Sequence, residues 1–178
     1  MEATELESKQ AEETVDSGAR QQLIVFKLGE EEYGITIDQI KEVVFTPNVT
    51  PMPQVPPYIK GVANIRGNIL AIVDLREKFG LQVQELDADG TSSNYTLVVA
   101  SSQLNVGILV KEVPNTLTVS TSDIEDAASI VQGSQEGRNY IKGIVKVDKK
   151  LVILIDVFAV MQEKEMYQAV TSEKITNE

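Results

Sequence analysis

An internal repeat constrains the fold of this chain more than any other feature of its sequence. Residues 58–75 align with residues 140–157 at an offset of 82. Nine of the 18 aligned pairs place one apolar residue against another, and five pairs are identical: Tyr58/Tyr140, Ile59/Ile141, Lys60/Lys142, Gly61/Gly143 and Asp74/Asp156. A second match, at an offset of 73, places residues 33–37 over residues 106–110. The chain therefore contains two copies of one unit, which is a hairpin, a connection and a second hairpin.

Each copy consists of short β-strand patterns. Apolar, β-branched runs over residues 22–28 and 33–38 flank a polar turn, and the alternation within 33–38 is typical of a half-buried strand. The later hairpins turn at residues 66–68 and 148–150. Four or five short strands are too few for a stable open sheet but are enough for a small closed barrel. We therefore predict a mainly β fold of two pseudo-symmetric barrel subdomains, each of four or five strands, with short helices and a C-terminal helix.

Composition divides the chain into one folded region and two tails. Residues 1–21 are acidic and poor in apolar residues, which predicts a disordered tail. Residues 22–162 form the predicted domain of two intertwined subdomains, with copies at about 22–80 and 95–157, and residues 163–178 continue the C-terminal helix into a polar tail. Four further segments are predicted: a helical turn ended by Gly80, a polar bridge at 82–94, a short helix at 122–131 and the C-terminal helix at 158–167.

The residue types that are missing narrow the possible chemistry. The 178 residues include no histidine, no cysteine and no tryptophan. Histidine is the usual general base near neutral pH and the commonest metal ligand, and cysteine supplies thiolate sites. We therefore expect no catalytic activity, no metal and no cofactor. The net charge of −11 disfavours contact with phosphate backbones and anionic membranes. No apolar run approaches the ~20 residues that span a bilayer, and no export signal precedes the domain, so a cytoplasmic location is expected.

Two other functional classes remain as alternatives to a binding scaffold. A carboxylate enzyme would need a pair such as Asp74 and Asp156 with Glu42, but the two aspartates are equivalent positions of the repeat, and capping of the following helical turn explains both. Single-stranded nucleic-acid binding is the second alternative, because small barrels often bind single strands. Its best evidence is a basic cluster next to a single aromatic, Tyr140, and consists of Lys142, Lys146, Lys149 and Lys150.

The repeat separates residues that the scaffold needs from residues that are free to differ. Tyr58, Lys60, Gly61 and Asp74 occur in both copies and are interpreted as mainly structural. Asn64, Arg66 and Gly67 are replaced in the second copy, so the fold does not require them. They serve a function of the first copy, or the two loop tips have simply drifted apart.

Three segments resemble the CheW family, the small coupling proteins of bacterial chemotaxis. They are VFKLGEEEYGITIDQIKEVV, PMPQVPPYIKGVANIRGNILAIVDLREKFG and YIKGIVKVDKKLVILIDV, and the resemblance covers about residues 22–162. The resemblance implies two SH3-like, five-stranded barrels without catalysis or cofactor. It implies a cytoplasmic scaffold, associated with receptor arrays at the inner membrane, that bridges chemoreceptor signalling tips to the CheW-like regulatory domain of the histidine kinase CheA.

The resemblance also implies which residues face each partner. Receptor-facing candidates are Glu42 and Val43, at the end of the second strand, and Arg66 in the turn that Asn64 and Gly67 complete. Lys60 and Gly61 are similar to part of the kinase-facing surface, although both recur in the second copy. Ile35, Ile37 and Ile40 would line a groove, but alternating isoleucines more often belong to a core.

The final expectation concerns a pair of charges. The second copy has Asn115 and Asp148 where the first has Glu42 and Arg66. The resemblance places Glu42 and Arg66 on one surface, and we predict that they lie close enough to form an ion pair.

Overall fold

The computed structural model describes residues 19–81, 95–127 and 140–162. Within these ranges the chain is mainly β, with two sheets and a few short helices. The strands are β1 Arg20–Leu28, β2 Glu31–Thr36, β3 Ile40–Phe45, β4 Ile59–Ile65, β5 Asn68–Val73, β6 Tyr95–Val99, β7 Val106–Val110, β8 Asn115–Ser120, β9 Ile124–Asp126, β10 Ile141–Val147 and β11 Lys150–Ile155. The helices are α1 Leu75–Lys78, α2 Val157–Met161 and the 3-10 helices Ile37–Gln39 and Thr121–Asp123.

Each sheet combines strands from both copies of the repeat. One sheet has the order β8-β1-β2-β11-β10-β9 and the other has the order β3-β6-β7-β5-β4. The first hairpin of each copy therefore completes the sheet that holds the second hairpin of the other copy. Two parallel pairings join the copies, β2 with β11 and β5 with β7, whereas the hairpins themselves are antiparallel.

The two copies share local geometry as well as strand order. Both second hairpins carry a β-bulge at the same place, between Ile59 and Gly61 and between Ile141 and Gly143. Both hairpins are followed by an aspartate that accepts backbone hydrogen bonds from the helical turn after it, which confirms the predicted capping roles of Asp74 and Asp156. The duplication read from the sequence is thus a duplication of structure.

Three apolar clusters explain why the strands carry continuous apolar runs. One cluster lies within the six-stranded sheet, one lies within the five-stranded sheet, and the largest is shared by both. In β1, Leu23 and Val25 face the cluster of their own sheet, whereas Ile24 and Phe26 face the shared cluster. The central strands are therefore buried on both faces.

Double-sided burial corrects one prediction. Residues 33–36 of β2 are all buried, so this strand is not the half-buried strand that its alternation indicated. Gly34 fills the alternating position because a Cβ there would lie 3.1 Å from the Val152 side chain. The apparent polar face of β2 is a place where two strands approach closely.

The predicted turns, helices and tails can be compared with the structure one by one. The hairpin turns and the helical turn ended by Gly80 are confirmed. The helix predicted at 122–131 is wrong in its first part, because residues 124–126 form β9 and pair with β10. This strand gives the first sheet six strands rather than the five predicted. Of the C-terminal helix only Val157–Met161 is described, and the 1–18 part of the tail, the bridge at 82–94 and residues 163–178 lie outside the described residues.

An aromatic stack lies against the shared cluster. The rings of Tyr33 and Phe79 have centroids 5.8 Å apart, and those of Phe79 and Tyr140 are 5.0 Å apart. Burial raises the pKa of the Tyr33 phenol, and the neighbouring Glu31 carboxylate and Tyr140 act in the same direction. Because the folded-state pKa is the higher one, this contribution to stability is complete below the ordinary tyrosine pKa and is lost as the pH rises through the folded value.

None of the helices among the described residues is long and apolar enough to cross a membrane.

The bulge glycines supply a test of the duplicated architecture. A Cβ on Gly61 would lie 2.1 Å from the Thr50 carbonyl oxygen, and one on Gly143 would lie 2.6 Å from the Glu125 carbonyl oxygen. We expect Gly61→Ala and Gly143→Ala each to lower the free energy of unfolding by about 2 kcal/mol or more, since backbone must move. Gly67→Ala is the control, because its Cβ would meet nothing within 4 Å, although its φ of +84° favours glycine.

Denaturant titration of the three variants measures these effects. A loss for Gly61→Ala or Gly143→Ala no greater than that for Gly67→Ala would contradict the close approach of backbone at the bulges.

Candidate functional site: a charged pair at the edge of the five-stranded sheet

Glu42 and Arg66 form the predicted ion pair. Arg66 Nε lies 2.7 Å from Glu42 Oε2. The Arg66 side chain is 73% exposed, whereas that of Glu42 is only 21% exposed. The partly buried carboxylate of Glu42 therefore holds the Nε of Arg66, while most of the Arg66 side chain is exposed to solvent.

The location of Glu42 differs from the one expected. Glu42 and Val43 were predicted at the end of the second strand, but they lie inside a third strand, β3. The reason is the 3-10 helix Ile37–Gln39, which ends the second strand and starts a new one after a single turn. β3 is the edge strand of its sheet and pairs with β6 on one side only.

The ion pair also reports how the sheet curves. β3 stands at one end of the five-stranded sheet and β4 at the other. Arg66 follows β4 directly, yet its guanidinium reaches Glu42 on β3. The two ends of the sheet therefore approach each other through strong curvature, in the manner of a small barrel.

Backbone geometry places Arg66 at the tip of the turn. Arg66 and Gly67 both have positive φ angles, 52° and 84°, as a tight two-residue hairpin turn requires. The Asn64 side chain stabilises the turn, because its Oδ1 accepts a hydrogen bond of 2.9 Å from the Gly67 backbone N–H. In the second copy Asp148 and Lys149 adopt φ angles of 46° and 68° without a glycine. The turn type is thus common to both copies, and the side chains on it are what differ.

Exposed apolar side chains lie on the same strand as Glu42. Val43 is 40% exposed and Phe45 is 77% exposed. The Phe45 ring contacts that of Tyr95 on β6 with a centroid separation of 5.2 Å. Phe45 was not singled out from the sequence, and the available signal was the alternation of outward residues along an edge strand. Successive side chains of a strand project to opposite faces, so Val43 and Phe45 form an exposed apolar patch on the face of β3 opposite to that of Glu42.

Ile40 does not belong to this surface. It is only 8% exposed and lies in the shared cluster, so its prediction as a partner-binding residue is wrong. Ile35 is fully buried in the same cluster, in agreement with the core alternative. Ile37 is the one of the three isoleucines with substantial exposure, at 42%.

Lys60 and Gly61 lie at the opposite end of β4 from Arg66. Lys60 pairs with Glu77 on α1, and Gly61 packs against the Thr50 backbone through the bulge. Arg66 lies six positions after Lys60 along the strand, which corresponds to roughly 20 Å. The predicted site residues therefore form two groups rather than one continuous patch.

The carboxylates considered for catalysis are engaged elsewhere. Asp74 accepts hydrogen bonds from the backbone and guanidinium of Arg76, and Asp156 accepts from Gln39 and from the start of α2. Within the described residues there is no group of three or more acidic, histidine or cysteine side chains that could hold a metal ion. Of the aromatics that nucleic-acid stacking would need, Tyr140 is already stacked on Phe79.

Fold and surface together define a β protein of two sheets that share strands of both copies, with an exposed ion pair on an edge strand. Comparison with known proteins gives the family. A family model for the CheW-like domain matches residues 22–165, and the chain belongs to the CheW-like family.

Individual relatives cover nearly the same region. Chemotaxis protein CheW of Bacillus subtilis is 32% identical over 157 residues, which is 88% of this chain and 97% of the relative. Chemotaxis protein CheW of Klebsiella aerogenes is 33% identical over 159 residues, covering 89% of this chain and 90% of the relative. The crystal structure of the scaffolding protein TtCheW from Thermoanaerobacter tengcongensis superposes with a TM-score of 0.68 and 25% identity, covering 83% of this chain and 96% of that one.

The two arginine–carboxylate pairs predict effects of very different size on stability. Arg66 is exposed, and an exposed pair contributes about 0–1 kcal/mol, so Arg66→Glu should leave the thermal midpoint almost unchanged. The Arg76 side chain is only 10% exposed and its partner Asp74 only 3%. Arg76→Ala should therefore lower the free energy of unfolding by about 3–5 kcal/mol, because it leaves a buried carboxylate without its cation. Thermal and denaturant unfolding monitored by circular dichroism measures both, and unfolding of the Arg66→Glu chain would make Arg66 structural instead.

Proposed function

We propose that this chain is a non-enzymatic cytoplasmic scaffold that couples the signalling tips of chemoreceptors to the histidine kinase CheA. Membership of the CheW-like family supports the scaffold role, and the names of its relatives connect that role to chemotaxis. The observation that carries the proposal is the exposed Glu42–Arg66 pair on β3, an edge strand whose other face exposes Val43 and Phe45.

Receptor binding is assigned to the surface around this pair. Glu42 takes up the Nε of Arg66, which leaves the fork of the guanidinium turned to solvent. Arginine offers planar, multi-donor recognition of carboxylates that lysine does not. Val43 and Phe45 add exposed apolar area on the other face of β3. A partner that presents a carboxylate to Arg66 fits the charged part of this surface.

Kinase binding is assigned to the surface around Lys60, at the other end of β4. A standard interface takes roughly 800 Å² from each partner. A patch of that area has a radius of roughly 16 Å. Because the two ends of β4 lie roughly 20 Å apart, the two patches fit on one adaptor when each extends away from the other. The two partners are therefore expected to bind together, which is what a coupling protein requires.

Charge reversals at the two ends of β4 test this division. Arg66→Glu should weaken binding of a receptor signalling fragment by about tenfold or more and leave binding of the CheA regulatory domain unchanged. Lys60→Glu should have the reverse pattern. Lys149→Glu is the matched control for Arg66→Glu, because it makes the same charge change on the equivalent turn of the second copy, where φ is also positive.

Calorimetric titration of each purified partner measures the affinities, and size-exclusion chromatography of the three-protein mixture detects the ternary complex. The double swap Glu42→Arg with Arg66→Glu should recover part of the receptor binding if the pair acts as a unit. Strict competition between receptor fragment and kinase domain would refute the coupling role.

A further inference from the structure

Gln39 links the two sheets by hydrogen bonds. It is the last residue of the first 3-10 helix, directly before β3, and only 4% of it is exposed. Its Nε2 donates a hydrogen bond of 2.9 Å to Asp156 Oδ1, and its Oε1 accepts one of 3.2 Å from the Val157 backbone N–H. Its backbone carbonyl accepts from the Ala100 N–H at 2.8 Å. The start of β3 is therefore tied to the end of β11, in the other sheet, and to the end of β6.

The second copy shows that the fold does not require this link. Strand register places Glu42 opposite Val98 and Asn115 opposite Val25, so the offset of 73 holds across this region and places Glu112 over Gln39. Glu112 is exposed, whereas Gln39 is buried. The next residues differ in the same way: Ile40 is 8% exposed and Val113 is 60% exposed.

Glu112 instead borders a cavity of about 220 Å³ between the β1–β2 turn and the end of β7. Gln39 of the first copy therefore fills a buried position, whereas its equivalent in the second copy, Glu112, lies beside a cavity. Between these two equivalent positions, burial of the side chain is a feature of the first copy alone.

The capping aspartates of the two copies, Asp74 and Asp156, accept hydrogen bonds from different side chains. The offset of 82 places Phe158 over Arg76. Asp74 therefore receives a guanidinium from its own helical turn, with Arg76 Nη2 at 2.9 Å, whereas Asp156 has a phenylalanine at that position and receives the Gln39 amide. A carboxylate in place of Gln39 would face the Asp156 carboxylate, and the like charges would repel.

The link falls where β3 is least constrained. β3 pairs with β6 on one side only, and its register shifts between Ile40 and Glu42. A bulged edge strand is the part of a sheet whose register is most easily altered. Because its hydrogen bonds fix Gln39 immediately before the bulge, Gln39 determines the direction in which the next side chains project. Glu42 is the first of these residues that the proposed function uses.

We propose that Gln39 is a positioning residue for the receptor-binding surface: its hydrogen bonds to Asp156 and Val157 hold the start of β3 and thereby orient Glu42 and Val43. This inference rests on the proposed function. It makes the placement of a surface in one sheet depend on a residue of the other sheet, 117 positions away in sequence.

Gln39→Glu tests the proposal, because it gives the first copy the residue that the second copy carries. The new carboxylate should repel Asp156 and weaken binding of the receptor fragment by about tenfold, while CheA-domain binding stays within about twofold. Adding Asp156→Asn should restore receptor binding, because the asparagine amide can donate to the new carboxylate. Glu112→Gln, the reciprocal change at an exposed site, is the matched control and should change neither affinity.

Hydrogen exchange of the chain alone gives a readout that needs no partner. Gln39→Glu should speed the exchange of β3 amides and leave those of the equivalent edge strand β8 unchanged. Gln39→Ala removes the hydrogen bonds without adding a charge. It should show the same selectivity with a smaller effect that Asp156→Asn does not rescue, so it replaces Gln39→Glu if that chain fails to fold.

The outcomes separate the two proposals. If the wild-type chain binds no receptor fragment, the proposed function fails and the positioning role is decided by hydrogen exchange alone. If the wild type binds and the Gln39 variants bind equally well, the positioning role is wrong. Equal losses for receptor fragment and CheA domain would also overturn it, since they indicate general destabilisation.

Discussion

The apolar layer shared by the two sheets is the constraint on which the rest of the structure depends. Each sheet has a small cluster of its own, but the largest cluster takes side chains from both. Apolar burial contributes roughly 25 cal/mol per Å², so the largest share of the stabilisation comes from the region where the two copies meet. Neither copy can keep its strands buried on both faces without the other. The exchange of first hairpins between the sheets meets the same requirement for burial on both faces. It places β1, β2, β6 and β7 at the centre of the molecule, next to the shared apolar layer.

The two copies share the features that build the scaffold but differ in several surface side chains. Bulges, capping aspartates and positive-φ turns occur in both. The differences gather on the first copy around β3: a charged pair where the second copy has Asn115 and Asp148, and an inserted glutamine where it has an exposed glutamate. Because the shared features carry the stability, the first copy could change these side chains without loss of the fold. The two copies therefore have the same scaffold, and the side chains that the proposed function uses lie on the first.

Much of this architecture was predictable from sequence, since the repeat is visible as paired apolar positions and as identical glycines and aspartates. The repeat marked Glu42 and Arg66 as differences between the aligned copies, but their pairing was predicted from the family resemblance, which places both residues on one surface. Residues 124–126 were not predictable as a strand, because Ser122 and Asp123 suit a helix cap while the pairing of β9 with β10 is a long-range contact. Ile40 was misassigned because an alternating isoleucine has the same pattern whether its strand faces a groove or a second sheet. Gln39 gave no signal, since its role depends on Asp156, which only the fold brings near.

The exchange of hairpins between sheets has a consequence for how the chain must be made. Every strand of the five-stranded sheet lies between residues 40 and 110, so that sheet can assemble while synthesis continues. The hairpin of β1 and β2 emerges first, yet its partners β8 and β11 come last, and β11 ends at Ile155. Contacts between residues so distant in sequence form slowly, and apolar strands that wait unpaired are prone to associate with other chains. The N-terminal hairpin is therefore the segment that a nascent chain most needs shielded, and the six-stranded sheet is the last part of the molecule to become native.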